Sequence, residues 1–136
     1  MTETARIEPV WLDAEVALAI HDRQLAEHGG GVGVRDAGML DSALSRPLNR
    51  WNYGEDDLCA LAAAYAFGVA RNHPFVDGNK RTAWVLARLL LKLNAVELSF
   101  TSEDAIATVF ALAAGDLSEE ELTDWFRGHI ASPPPA

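Results

Sequence analysis

Two apolar segments with helical periodicity, separated by one short polar loop, constrain the fold of this chain more than any other feature. In residues 55–72, apolar side chains recur every three and four positions, which predicts a helix with a buried face. Residues 80–94 are apolar on nearly every side, which is typical of a helix at the centre of a bundle. The polar loop between them is therefore expected to lie between two helices of the core.

The remaining sequence predicts four more helices. A first helix over residues 12–28 is stopped by the glycine-rich residues 29–33. A short second helix over residues 36–45 is ended by Pro47, and residues 47–54 are expected to form an aromatic, polar loop. A fifth helix begins near Ser102, and a sixth begins at the capping box of Ser118 and Glu121. The apolar stripes of these two helices are Ala105, Ile106, Val109, Phe110 and Ala113 in the fifth, and Leu122, Trp125, Phe126 and Ile130 in the sixth.

The predicted fold class is therefore all-α, a compact bundle of about six helices whose central buried helix follows the polar loop. A chain of 136 residues is long enough for one core, so we expect a single domain over residues 1–131 and a flexible proline-rich tail over residues 132–136. The lone Cys59 excludes an intrachain disulfide and is expected to be a buried, inert thiol.

Charge and hydropathy exclude several classes of function. The net charge of −9 argues against direct nucleic-acid binding, which requires a basic face. The longest apolar run is too short for a membrane span, and no secretory signal begins the chain. We therefore predict a cytoplasmic protein without a membrane partner.

The polar loop and the start of the helix that follows it have the residues of a phosphate site. Lys80 and Arg81 fall in the first helical turn, where cations are disfavoured by the helix dipole, so an anion is expected to complete the site. Asn79 adds a polar group, and Gly78 lets a ligand approach the backbone. Together the four residues predict a polyphosphate cradle.

Asp77 and His73 complete the predicted chemistry. A carboxylate beside phosphates is repelled unless a divalent cation bridges them, which predicts Mg²⁺ at Asp77. A neutral imidazole at His73 is suited to take the proton from an attacking hydroxyl. Each residue also has a structural explanation, since Asn79 is a possible helix cap and the two cations are possible ion-pair partners. Their coincidence in one loop favours the functional interpretation.

The residues His73, Phe75, Asp77, Gly78, Asn79 and Arg81 fill every specified position of the signature of the Fic/Doc family, which this chain resembles. Lys80, where Fic adenylyltransferases typically carry glycine, and the following Thr82 and Ala83 are similar to the Doc (death-on-curing) toxin branch. Upstream pieces around His21, Arg35 and Ser42 are also Doc-like, and the similarity spans roughly residues 12–94.

The resemblance implies a nucleotide-dependent transferase with the Fic/Doc fold. It implies that His73 is catalytic, that Gly78, Asn79, Lys80 and Arg81 bind the nucleotide, and that Asp77 holds Mg²⁺. In the Doc branch the γ-phosphate of ATP passes to a threonine hydroxyl of translation elongation factor Tu, which inhibits translation. Two alternatives stay open: AMP transfer to a target hydroxyl, as in the Fic branch, and a catalytically silent module that binds a nucleotide or a partner.

The resemblance also implies control by a second protein. Many Fic enzymes carry an inhibitory helix, but Pro9 follows Glu8 in the one similar segment here, so we expect that helix to be absent. A cognate antitoxin with a flexible segment is then expected, and its candidate groove is the first helix with residues 29–36. Residues 47–53 are the candidate segment for aligning the target protein, and Arg46 and Arg50 flank its first three residues.

Overall fold

The computed structural model describes residues 6–131, and these form a bundle of six α-helices. The predicted tail, residues 132–136, lies outside the described residues, as do residues 1–5, which include the first two residues of the segment compared with an inhibitory helix (residues 4–8). Within the described part, strand-like pairing is limited to two isolated antiparallel bridges, Val34 with Phe75 and Leu98 with Ile130. The predicted all-α bundle is confirmed, with the helices α1 (Ala14–His28), α2 (Ala37–Asn52), α3 (Leu58–Asn72), α4 (Asn79–Leu93), α5 (Ser102–Ala114) and α6 (Glu119–Gly128).

Side-chain caps set where most of these helices begin. Asp13, Asp36 and Asp57 each accept a backbone N–H from the first turn of α1, α2 and α3. Ser118 and Glu121 form the predicted capping box at α6, in which each side chain accepts the other residue's backbone N–H. Helix α4 is the exception, because no side chain caps it.

The most enclosed helix is α3, which packs against α2, α4 and α6. Eleven of its fifteen residues are buried, and most of these are alanines, which let neighbouring helices approach closely. Helix α4, predicted to be central, is buried at eight of its fifteen positions, while its charged residues face outward. The centre of the bundle is therefore the α3–α4 pair, joined by the polar loop.

Helix α2 is longer than the sequence predicted. It continues through the buried Pro47 to Asn52, so the expected end before Pro47 and the expected loop over residues 47–54 were wrong. Pro47 deprives only the Ala43 carbonyl of its helical donor, and a proline of this kind costs about 3 kcal/mol. Burial of the apolar face of α2 against α3 outweighs this cost. Trp51 consequently lies on the helix, where its ring meets Trp11 edge to face with centroids 6.2 Å apart.

Only part of the predicted apolar stripe of α5 meets the core: half-buried Ala105 and Val109 pack against it, whereas the rest of the core-facing side differs from the prediction. Thr108 and Leu112 are buried, whereas Ile106 is 57% and Phe110 is 68% exposed. Thr108 is tolerated inside because its hydroxyl donates to the Asp104 carbonyl oxygen at 2.8 Å. A periodic apolar stripe predicts that a helix has an apolar face, but not which neighbour covers that face.

The single cysteine of the chain is buried, as the sequence predicted. Burial desolvates the Cys59 thiol and raises its pKa to about 11, which keeps the thiol protonated and unreactive.

Among residues 6–131, no helix combines the length and the apolarity needed to cross a bilayer.

The contact between α2 and α3 yields a stability prediction at Gly68. A Cβ built on Gly68 would lie 3.1 Å from the Ala43 Cα and 3.2 Å from its carbonyl oxygen, both backbone atoms. We expect Gly68→Ala to lower the free energy of unfolding by about 1–3 kcal/mol because the two helices must separate. Urea denaturation measures the change.

Gly128 at the end of α6 provides the matched control, because a Cβ there meets no atom within 4 Å. Gly128→Ala is expected to stabilise the chain by about 0.4–1 kcal/mol. Equal effects of the two substitutions would contradict close packing at Gly68.

Candidate active site

The polar loop connects α3 to α4, and His73 is its first residue. His73 caps α3 in the left-handed conformation, with φ 48° and ψ 55°, and its backbone N–H donates to the Val69 carbonyl oxygen. This conformation costs a residue with a side chain about 1–2 kcal/mol. It turns the chain sharply at the end of α3, and the exposed imidazole lines the cleft described below.

Phe75 anchors the loop to the core. Its side chain is 1% exposed and stacks on the His21 ring, with centroids 3.9 Å apart and an interplanar angle of 8°. His21 is itself 2% exposed, and its Nε2 lies 2.7 Å from the carbonyl oxygen of Asp77. Because a carbonyl only accepts, Nε2 must carry the proton. His21 is therefore a buried support of the loop.

Asn79 closes the loop from the other side. The Phe75 N–H donates to Asn79 Oδ1 at 2.9 Å, and Asn79 Nδ2 donates to the Phe75 carbonyl oxygen at 3.0 Å. The Asn79 side chain is thus buried, and both of its polar atoms are bonded to the Phe75 backbone. The group of Asn79 that remains available to a ligand is its backbone N–H, at the start of α4. Its side chain shapes the loop.

The glycine-rich segment, residues 29–33, packs against the loop in addition to ending α1. The Asp77 carboxylate accepts the N–H of Gly78 at 2.8 Å and the N–H of Gly31 at 3.3 Å. These two bonds, that of Gly78 first, hold the pKa of Asp77 below its usual range. A Cβ on Gly30, whose φ is +126°, would lie 2.9 Å from Asp77 Oδ2. Glycine is therefore required here by contact as well as by backbone conformation, a role that the sequence alone did not indicate.

Arg35 joins the segment after the glycines to the end of α3. Its Nε donates to the His73 carbonyl oxygen at 2.7 Å, and its Nη2 donates to that of Asn72 at 2.9 Å. Its backbone N–H donates to the Pro74 carbonyl oxygen at 2.7 Å. These bonds hold His73 in its left-handed conformation and satisfy carbonyls that the end of α3 leaves without partners. Arg35 belongs to one of the Doc-like segments of the sequence, but the sequence alone indicated no role for its side chain.

The N-terminus of α4 is electropositive and open. Gly78 precedes it with φ 76°, and the first intrahelical bond runs from the Thr82 N–H to the Gly78 carbonyl oxygen. The N–H groups of the three preceding residues have no intrahelical acceptor, and no side chain caps them. Lys80 and Arg81 are exposed there, and within residues 6–131 neither lies within 4.0 Å of a carboxylate. The alternative that these cations serve as ion-pair partners is therefore wrong for the described chain.

One cleft of about 710 Å³ brings these groups together. Its polar side is formed by the predicted residues, and its apolar side by Trp84 and Val85 of α4 with Ile106 and Phe110 of α5. A volume of this size accommodates a nucleotide. The predicted site residues that line the cleft are His73, Asp77, Gly78, Asn79, Lys80 and Arg81.

Arg46 and Arg50, predicted to flank a target-aligning segment, are engaged elsewhere. Arg46 Nε donates to Glu119 Oε1 at 2.8 Å, and Arg50 also contacts the Glu119 carboxylate. Glu119 is the first residue of α6 and is 9% exposed, so the two arginines neutralise a buried charge. Because residues 47–52 are helical, they do not form the extended segment that alignment of a target requires.

Among the described residues, Asp77 is the only carboxylate that lines the cleft. Within residues 6–131, no cluster of three or more ligating side chains occurs. Magnesium fits this donor set, because it is usually held by one or two carboxylates together with substrate phosphates and water. The exposed, ionised Asp77 beside the uncapped end of α4 has the charge and position for that role.

The Arg35 contacts yield a prediction about the stability of the loop. We expect Arg35→Ala to lower the free energy of unfolding by about 1–2 kcal/mol, since it removes two charge-assisted hydrogen bonds from an exposed side chain. Arg23→Ala is the control, because Arg23 makes only an exposed pair with Glu27 and should cost about 0.5 kcal/mol or less. Urea titration compares them, and equal losses would exclude a special contribution from Arg35.

Comparison with known proteins confirms the resemblance. The model of the Fic/DOC family matches residues 11–91, which is more than half of the chain. The chain is 36% identical over 117 residues to the protein kinase doc of Escherichia phage P1, an alignment that covers 85% of this chain and 92% of that protein. It is 49% identical over 74 residues to the toxin Doc of Mycolicibacterium smegmatis, covering 52% of this chain and 56% of that protein. The chain therefore belongs to the Fic/DOC family, in its Doc branch.

Proposed function

We propose that this protein is the toxin of a toxin–antitoxin pair and acts in the cytoplasm as an ATP-dependent protein kinase. Its substrate is a hydroxyl group, that of a threonine, on a target such as translation elongation factor Tu, and the modification inhibits translation. The names of the two relatives, one a protein kinase and the other a toxin, support this assignment.

The observation that carries the proposal is the pair of cations at the open end of α4. Lys80 and Arg81 lie in the first helical turn without carboxylate partners within residues 6–131, although the whole chain has a net charge of −9. The three backbone N–H groups without intrahelical acceptors at this end of α4 carry the positive end of the helix dipole. An arrangement that is unfavourable for the free helix becomes favourable when a polyphosphate binds to it.

The Asp77 carboxylate would hold magnesium, and the bound ion would supply neutralisation of phosphate charge, one of the main contributions to catalysis of phosphoryl transfer. The hydrogen bonds from Gly78 and Gly31 keep the Asp77 carboxylate ionised and oriented. Lys80 and Arg81 would contact the outer phosphate oxygens, and Gly78 leaves room for the ligand beside the backbone.

His73 is proposed to act as the general base. The target hydroxyl loses its proton to the imidazole while its oxygen bonds to the γ-phosphorus. The bond between that phosphorus and the bridging oxygen of ADP breaks, and ADP carries away the electron pair. Arg35 fixes the backbone on which the imidazole is mounted, and Phe75 with Asn79 fixes the other end of the loop.

Adenylyl transfer is the second candidate, and one residue separates it from the first. Lys80 stands where Fic adenylyltransferases typically carry glycine, and the added bulk and charge at the first turn of α4 would obstruct their nucleotide pose. The long match to a protein kinase of the same branch also favours γ-phosphoryl transfer. A silent binding module is the third candidate, but the complete set of site residues in one cleft weighs against it.

We further propose that a cognate antitoxin blocks this site. An occupant of α1 and residues 29–36 would cover Asp77, because the Gly31 N–H already donates to the Asp77 carboxylate. Such a partner needs no change in the fold to close the cleft.

The role of His73 is tested by the transfer of phosphate from ATP to elongation factor Tu. We expect His73→Ala to lower kcat by about 10²–10⁴-fold while the binding of magnesium–ATP, measured by calorimetry, changes little. His28→Ala is the control, since His28 lines the same cleft from α1 and should retain activity. A fully active His73→Ala enzyme would exclude the proposed base.

The position of the label on ATP distinguishes the two transferase reactions. We expect a label on the γ-phosphate to appear on the target protein and a label on the α-phosphate to remain in ADP. Transfer of the α-label would establish adenylylation instead. Magnesium–ATP binding without transfer of either label would identify the silent module.

A further inference from the structure

Helix α1 directs a histidine into the core. Its two buried residues are Ala17 and His21, and His21 is 2% exposed. An imidazole is costly to bury unless its polar atoms are hydrogen-bonded, whereas an aliphatic side chain is buried without that cost. The hydrogen bond of His21 is therefore the property that an apolar residue at this position would lack.

That hydrogen bond goes to the peptide group that joins Asp77 to Gly78. His21 Nε2 lies 2.7 Å from the Asp77 carbonyl oxygen. Because the peptide is trans, its carbonyl and its N–H point in opposite directions, so a carbonyl held toward α1 directs the Gly78 N–H away from α1. There the N–H donates to Asp77 Oδ1 at 2.8 Å. One side of the peptide is thus held by His21, and the other side orients the proposed metal ligand.

The backbone at Gly78 does not fix this orientation by itself. Gly78 has a φ of 76°. Turning the Asp77–Gly78 peptide over would change this φ by about 180°, and glycine occupies negative and positive φ about equally readily. In the turned-over peptide the Asp77 carbonyl oxygen would face its own carboxylate, and the Gly78 N–H would no longer donate to that carboxylate. The bond from His21 opposes this rearrangement.

The donor of His21 is itself held in one direction. The imidazole stacks on the buried Phe75 ring, with centroids 3.9 Å apart and an interplanar angle of 8°. A ring held in this way loses little further rotamer freedom when its Nε2–H binds the carbonyl. The stack and the hydrogen bond are separable contributions, since one depends on the ring face and the other on a single N–H.

We propose that His21 is a positioning residue of the candidate active site. Its Nε2–H keeps the Asp77–Gly78 peptide in the orientation that aims the Gly78 N–H at the Asp77 carboxylate, and the carboxylate is thereby presented to a divalent cation in one direction. Hydrogen bonds behind a metal ligand orient it, and their loss weakens metal binding. The inference rests on the proposed function only in assigning a cation to Asp77.

Two substitutions separate the donor from the ring. His21→Phe keeps the stack and removes the N–H, whereas His21→Gln removes the ring and supplies an amide N–H. We expect hydrogen exchange of the Gly78 amide, measured by NMR on the full chain, to be about three- to tenfold faster in His21→Phe and within about twofold of wild type in His21→Gln. The Gly29 amide, which donates to the Leu25 carbonyl oxygen at the end of α1, is the internal reference and should not change.

Cation binding provides the second measurement. We expect His21→Phe to weaken the binding of magnesium with a non-hydrolysable ATP analogue, measured by calorimetry, about three- to tenfold, and His21→Gln to restore it to within about twofold. Urea denaturation should give the opposite order, with His21→Phe the more stable variant because it keeps the apolar stack. A merely structural role would make affinity follow stability.

Thr123→Val is the matched control for the loss of one buried hydrogen bond. The Thr123 hydroxyl donates to the Glu119 carbonyl oxygen at 2.9 Å within α6, and neither residue lines the cleft. This substitution should lower stability and leave both the Gly78 exchange rate and the affinity for magnesium–nucleotide unchanged.

Several results would overturn the positioning role. They are unchanged Gly78 exchange in His21→Phe, equal effects of His21→Phe and His21→Gln, and equal weakening of cation binding by Thr123→Val. Should His21→Phe fail to fold, ¹⁵N NMR of the wild-type imidazole still decides, because a proton on Nδ1 alone would exclude the bond from Nε2. A wild-type chain that binds no magnesium–nucleotide would contradict the proposed function, whereas donor-dependent Gly78 exchange in that chain would still confirm His21 as the residue that orients the peptide.

Discussion

The whole candidate site depends on the anchoring of one loop to the helical core. Phe75 is buried and stacked on His21, and its backbone is bonded in both directions by the Asn79 side chain. Removal of a buried phenylalanine of this kind costs about 3–5 kcal/mol, which is a large share of the stability of a small domain. His73 and Asp77, two residues before and two residues after Phe75, are both exposed. The core therefore positions the chemistry.

A second constraint is electrostatic. The end of α3 and the start of α4 meet at this loop, so a negative and a positive helix terminus lie a few residues apart. Arg35 donates hydrogen bonds to the carbonyl oxygens at the end of α3. Within the described chain, no side chain caps the backbone N–H groups at the start of α4, and no carboxylate pairs with its two cations. The molecule thus neutralises one terminus itself and leaves the other for an anion. That asymmetry is the physical basis of the proposed nucleotide site.

Sequence reasoning succeeded where local chemistry dominates. The helical periodicities and the capping box at α6 follow from short-range patterns, and the signature residues define the family. It failed where packing between segments distant in the sequence decides the length of a helix or the partner of a side chain. Pro47 is accommodated inside α2 because this helix packs on α3. Arg46 and Arg50 bind the carboxylate of Glu119, which is about 70 residues further along the chain. The exposed side of α5 is likewise set by its neighbours.

The amino-acid sequence by itself determined the helical class, the family and the candidate site residues, because each depends on residue type and spacing within one or two turns. Only the tertiary structure decided what those residues do with their side chains. It directs the Asn79 amide inward to Phe75, brings Gly31 to the Asp77 carboxylate from 46 positions away, and makes His21 and Arg35 supports of the loop. Such roles depend on contacts between helices, and the free energy of those contacts is a property of the packed core.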